Sequence, residues 1–398
     1  MTQPRLILNP GKEKSLLRRH PWLFSGAVRQ VEGSPQPGDT VDIFSADHRW
    51  LAAGHYQDDS IVCKIITFEP TPIDENFWHQ RISDAINYRK TLRLLAADGT
   101  PASPHDTMFR LVNAEGDRLP GFIADYYNHL LVLQAHTPAM HRLLPLFSRL
   151  LKEQLPDIQA IYDKSQATLP HQTTQNHYIE STIQPPQEWQ ATESAIQYLI
   201  NPDEGQKTGF FLDQRDNRRI VANYSSGKRL LNCFGYTGGF TLGALRGGAS
   251  HVDTVDISSR AINLCNRHVQ LNFPNASHNG IVADVTRYLD TIDNQYDIII
   301  LDPPAFAKNH RSLQNGLKGY RSINQRAIEH IKPNGLIFTF SCSQAVSNDQ
   351  FLTTLFTAAA NARRNVRIVQ HLQPSPDHPV SIYHPEGHYL KGLLLQVE

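Results

Sequence analysis

Cysteine is scarce in this chain. Four stand in 398 residues, Cys63, Cys233, Cys265 and Cys342, and no two form a CxxC pair. That scatter argues against a disulfide framework and a zinc knuckle, so no metal site is expected. It suits a reducing compartment, and a cytoplasmic protein is expected. Long apolar runs are missing too. None reaches the length of a membrane span, and no long apolar stretch follows the basic residues of MTQPRLILNPGKEKS, so the start does not read as a signal peptide. Net charge is absent, with 38 basic residues against 38 acidic ones, which does not advertise a nucleic-acid partner. No internal repeat or low-complexity tract is visible. What remains is an ordinary globular composition, 40% hydrophobic, with enough length for two or three domains.

The local charge says more than the total. Between Arg5 and Arg19, five bases including Arg18 and Arg19 face a single acid, Glu13. Between Ala305 and Ile328 stand Lys308, Arg311, Lys318, Arg321 and Arg326, with no acid among them. Two basic surfaces on a neutral protein suit phosphate contact, although a solvated face would look the same.

Residues up to about 72 read as short strands punctuated by glycine turns. Apolar Phe77, Ile82, Ile86 and Leu92 predict a helix over Glu75 to Leu95. Three strands, a helix over Ala139 to Gln154 and a further strand predict an α+β middle block, followed by a hairpin-like stretch from Trp189. From Arg229 onward strands alternate with helices, which predicts a parallel doubly wound sheet.

In that last part polar groups stand at successive strand ends. The first strand closes in NCFGYTGGF, a glycine turn that lets backbone approach a ligand at a helix amino end. It is not GxGxxG, so a dinucleotide reading is weak. The second ends at Asp256, where a carboxylate can take two ribose hydroxyls. The third ends at Asp284, placed to accept from an adenine amine, and the fourth, YDIIILDPPAF, ends at Asp302. A single strand-end aspartate is commonly a helix cap or turn former. Three after a glycine turn favour a nucleoside ligand.

This layout resembles class I S-adenosylmethionine-dependent methyltransferases. Over nearly the whole chain, and in order, RHPWLFSGAV, GDRLPGFIADYY, KTGFFLDQRDNR, LNCFGYTGGFTL, LDPPAFAKN, KGYRSINQRAI, FSCS and HPEGHYLKG resemble the bacterial ribosomal RNA large-subunit methyltransferase I family. Ala305 is a local departure, since the family often has a lysine after the DPP turn. The resemblance implies a multidomain fold: a β-rich PUA-like RNA-binding barrel at 1–73, a helical linker and α+β middle domain at 74–196, and an α/β Rossmann-like class I methyltransferase domain at 197–398. It implies S-adenosyl-L-methionine as cofactor, 23S ribosomal RNA or a large-subunit precursor as partner, and methylation of cytidine C5. The expected cofactor residues are Asn232, Phe234, Gly235, Thr237, Gly238, Asp256 and Asp284, with Gln214 from KTGFFLDQRDNR. The expected RNA-binding residues are Phe306, Lys318, Tyr320, Arg321, Arg18 and Arg19, with Phe306 or Tyr320 receiving the face of the target base.

The chemistry turns on one side chain. An acid followed by two prolines and an aromatic is common where an exocyclic amine is methylated, and an amine needs no enzyme nucleophile. A pyrimidine C5 needs one, because it attacks only after a nucleophile has added at C6. Cys342, at the end of the strand LIFTFS and flanked by two serines, is the candidate, and the resemblance assigns it that role; the other three cysteines read as packing residues. Cys342 and Asp302 are therefore the expected catalytic pair. Two other readings stay open: N-methylation of an RNA base (guanine N7 or an exocyclic amine), and a non-catalytic RNA-binding or ribosome-assembly factor.

Overall fold

The computed structural model describes residues 3–169 and 173–398. The first two residues of the range 1–73, and residues 170–172 of the range 74–196, lie outside the described residues. The chain forms two compact units. One runs to Ala195 and also holds Leu199–Leu212 and Pro376–Gly387; the other holds Ile196–Tyr198, Asp213–Ser375 and His388–Glu398. The chain therefore passes between them several times.

The first unit carries two sheets. Strands β1 (Arg5–Leu8), β2 (Trp22–Phe24), β3 (Val28–Glu32), β4 (Thr40–Phe44), β5 (Trp50–Tyr56) and β6 (Ile61–Thr67) pair in the order β2-β6-β5-β4-β1-β3. Period-two alternation sends Leu6 and Leu8, and Val41 and Ile43, into one core, which Val62, Cys63 and Ile65 of β6 join. Strands β7 (Met108–Asn113), β8 (Phe122–Tyr127), β9 (Leu130–Ala135), β10 (Ala160–Asp163) and β11 (His177–Ser181) form the second sheet. The predicted helix beside it spans Glu75–Thr91, capped by Asp74, which accepts from the Phe77 amide at 3.0 Å. The helix expected over Ala139 to Gln154 is two, Pro138–Arg142 and Leu144–Gln154, because Pro145 has no amide hydrogen to continue the first ladder. Buried charge holds this sheet together. Arg89 is fully buried, and its guanidinium donates to Asp117 at 2.6 Å, to the Arg110 carbonyl at 2.8 Å and to the Asp377 carbonyl at 2.7 Å. Arg110 forks onto Asp125 at 2.5 and 3.0 Å. Asp117 and Asp125, both in GDRLPGFIADYY, are thus internal staples whose desolvation is offset by complete pairing.

After β12 (Trp189–Glu193) and β13 (Ile196–Ile200), the second unit is built on β14 (Arg229–Cys233), β15 (His251–Asp256), β16 (His278–Val282), β17 (Ile298–Leu301), β18 (Gly335–Ser341), β19 (Val366–Leu372) and β20 (Lys391–Val397). Their order is β16-β15-β14-β17-β18-β20-β19. The pairing is parallel from β16 to β18, as the alternation predicts, and antiparallel at β20 and β19. The central strand β17 is buried along its whole length, as both-face coverage by helices requires. The order reverses between β14 and β17, so the crevice for a ligand opens at the carboxyl ends of these strands.

Candidate active site

The glycine turn after β14 is more strained than its sequence suggests. Phe234, Tyr236 and Gly238 all have positive φ (58°, 45° and 87°), a region costly for the two aromatic residues and frequent at ligand sites. Two glycines are required by close approach. A Cβ on Gly235 would strike the Thr254 methyl, and one on Gly238 would strike the Cys265 sulfur. Gly238 then caps the helix Gly239–Arg246. Asn232 is buried under the turn and donates to Thr241 Oγ1 at 2.9 Å. Its Oδ1 and the Thr237 hydroxyl are buried without a hydrogen-bond partner among the described residues. Such atoms call for a ligand group or water.

The Asp256 carboxylate is held rigidly beside this turn. Oδ2 accepts from the Tyr236 amide and Oδ1 from the Ser258 amide, each at 2.9 Å. Each oxygen keeps a further lone pair for a ligand hydroxyl. The next residue, Ile257, is 73% exposed. Val282, the register partner of Asp256 on β16, is exposed as well. Two bare apolar side chains at adjacent strand ends offer a surface for a planar ring. Neither is marked in the sequence, since an exposed isoleucine or valine has no local signature. Asp284 is exposed and caps the helix Val285–Leu289 through the Arg287 amide at 3.0 Å.

Asp302 is half-buried, and its Oδ1 accepts from the buried Gln214 amide at 3.2 Å. Gln214 is fixed in turn by Asn217 at 2.6 Å. Thus Gln214 stands with Asp302 on the rim. Phe306, half-exposed, rests on Gly319, where a Cβ would crowd its ring, and meets Phe234 edge-on at 6.2 Å. Tyr320 is fully buried. Its ring backs Phe306 at 4.8 Å and its hydroxyl bonds Ser343 at 2.8 Å, so of the two rings only Phe306 has a free part of its surface. Lys318 and Arg321 are exposed on the helix Leu313–His330 and, three apart, share one face. In the other unit Arg18 is exposed, while Arg19 pairs with Glu69 at 3.1 Å and lies over the Phe68 ring.

The four cysteines divide by burial. Cys63, Cys233 and Cys265 are sealed, and burial pushes their thiols up, that of Cys265 to about 12. Cys342 is half-exposed, and its Sγ points to the Pro303 carbonyl at 3.7 Å. The adjacent strands β17 and β18 deliver the DPP turn and this thiol to one place. A strand-end thiol, a fixed carboxylate and a ring edge beside a ligand turn can perform addition chemistry on a planar heterocycle. No group of three or more candidate metal ligands occurs among the described residues, and no described helix is long and apolar enough to cross a membrane.

The family described as S-adenosylmethionine-dependent methyltransferase matches residues 119–395, and that described as PUA-like domain matches residues 6–68. Ribosomal RNA large subunit methyltransferase I of Serratia proteamaculans is 37% identical over 403 residues, covering 99% of each chain. A SAM-dependent methyltransferase structure from Streptococcus mutans superposes with a TM-score of 0.83 at 22% identity, over 99% of this chain and 100% of that one. A methyltransferase structure complexed with SAH does so with 0.85 at 23%, over the same shares. These two likenesses are of fold.

Proposed function

The chain belongs to the ribosomal RNA large subunit methyltransferase I family of S-adenosylmethionine-dependent enzymes, and on that premise we propose that it methylates C5 of a cytidine in 23S ribosomal RNA through a covalent bond from Cys342 to C6 of the base. The protein would then act in the cytoplasm, with its RNA. S-adenosylmethionine supplies an electrophilic methyl group when bound. The turn fits it: the Asp256 carboxylate would hold its ribose, the unpartnered Asn232 Oδ1 and Thr237 hydroxyl face the same turn, and Ile257 and Val282 would flank its adenine. The observation that carries the C5 reading is the exposure of Cys342 against the DPP turn, with the other three thiols sealed.

In this mechanism the target base leaves its stack and lies against the exposed edge of Phe306. The Cys342 thiolate adds to C6, and the π pair moves to C5, which takes the methyl. Asp302, oriented by Gln214, hydrogen-bonds the ring and helps protonate N3. A base removes the C5 proton, the double bond re-forms, the thiolate leaves and N3 gives back its proton.

Incubation with labelled S-adenosylmethionine and unmodified ribosomal RNA should transfer the label. Nuclease digestion and mass spectrometry should then find it on 5-methylcytidine. Label on guanine N7 or an exocyclic amine would replace this reading with the N-methyl one, and no transfer would favour a binding factor. RNA affinity supplies a further prediction. Replacing Lys318 and Arg321 by alanine should weaken RNA binding and flatten the slope of log K against log salt by about 1.5 for two lost phosphate contacts, with cofactor binding spared. Alanine at Arg18 and Arg19 should do less, because Arg19 is already paired with Glu69. Unchanged slopes in both filter-binding series would put the phosphate contacts elsewhere.

A further inference from the structure

The motif HPEGHYLKG ends in a lysine and a glycine that the mechanism above does not use. In the second unit both belong to β20, which lies antiparallel beside β18. Lys391 is the register partner of Ser341. Its side chain runs past the strand end and its ammonium donates to the Ser343 carbonyl at 2.7 Å. The lysine is thus anchored on both residues that flank Cys342. It is also only 6% exposed, an unusual place for an ammonium unless a negative partner is expected. Gly392 makes the register possible, since a Cβ there would strike the Phe340 ring one residue before Ser341. Resting on the C5 reading, we propose that Lys391 is a positioning residue that holds Cys342 in its reactive form, its buried ammonium acting as counter-charge to the sulfur when the S–H bond breaks and the proton leaves to solvent.

The electrostatics agree in direction. Burial pushes the Lys391 amine down to about 8, and the Cys342 thiolate acts on it in the opposite sense. The same attraction must lower the thiol, because the coupling between two titrating groups is mutual. Two other ionisable groups stand on the elements beside the thiol. Asp302, just before Pro303 on the DPP turn, opposes thiolate formation when charged. Tyr320, on the helix Leu313–His330, is pushed up by burial and is neutral at working pH. A fixed cation is what offsets the acid.

Alkylation of the full chain by iodoacetamide, followed on the Cys342 peptide by mass spectrometry as a function of pH, reads this without RNA or cofactor. The three other thiols are sealed and should not compete. The wild-type midpoint should fall below the free-thiol value of about 8.5. In Lys391→Met it should rise by about one pH unit or more, which slows alkylation at neutral pH about tenfold. Lys391→Arg should restore most of the shift. Methyl transfer by Lys391→Met should lose kcat rather than raise KM for RNA, and regain it at higher pH. An unmoved midpoint in Lys391→Met overturns the proposal. If that variant no longer binds S-adenosylmethionine by calorimetry, the wild-type profile decides, and a midpoint at or above the ordinary value overturns it. The two readings fail separately. A midpoint that moves while Cys342→Ala keeps full activity upholds the ion pair and removes the C5 mechanism. An unmoved midpoint with inactive Cys342→Ala does the reverse.

Discussion

Replacing Cys342 by alanine is expected to abolish methyl transfer, a loss of at least about 10³-fold, because C5 of a cytidine has no nucleophilic character until C6 is occupied. Cofactor and RNA should still bind, since the alanine removes only a sulfur at the strand end and leaves the Asp256 carboxylate and the glycine turn untouched. The decisive companion is RNA with 5-fluorocytidine at the target. The wild-type enzyme should form an adduct that survives denaturing electrophoresis. Fluorine at C5 cannot depart as a cation, so elimination stalls after the methyl has been transferred and the S–C6 bond persists. Cys342→Ala should form no such band. An N-methyltransferase would tolerate the alanine, because a nitrogen lone pair attacks unaided, and would trap nothing. Retained turnover in this variant would falsify the C5 mechanism.

Loss of the Asp256 carboxylate should have the next largest effect. Each hydrogen bond from a ribose hydroxyl to a charged acceptor contributes about 1.5–3 kcal/mol, so Asp256→Ala should weaken S-adenosylmethionine binding by one to several orders of magnitude, about tenfold per 1.4 kcal/mol. The structure adds a second cost. The same oxygens anchor the Tyr236 and Ser258 amides, and Tyr236 is one of the residues held at positive φ. Alanine therefore also releases the turn. Asp256→Asn keeps an acceptor for one of those amides and should lose less. Equal affinities for wild type and Asp256→Ala by titration calorimetry would mean that the cofactor lies elsewhere.

Some of the site was legible because its signals are local. A glycine turn closing an apolar run, acids at the ends of successive strands and a proline pair after Asp302 can all be read within a few residues of chain. Of the two roles open to a strand-end aspartate, the one seen for Asp284 is the helix cap, through one oxygen to the Arg287 amide.

What the sequence by itself determined is the order of elements, the parallel run from β14 to β18 and the family to which the chain belongs, since each rests on periodicity or on motifs in sequence. Tertiary structure alone decided which side chains meet and which are exposed. Tyr320 and Phe306 are both aromatic residues near a turn, yet burial seals the first and leaves an edge of the second. Gln214 reaches Asp302 across 88 residues. Lys391 comes to Cys342 because β20 inserts antiparallel between β18 and β19, where the strand alternation led to the expectation of a parallel sheet. The physical reason is the same in each case. Hydrophobic periodicity reports which face of an element is buried, whereas strand order and the depth of burial depend on segments far apart in the chain, whose packing no local window contains.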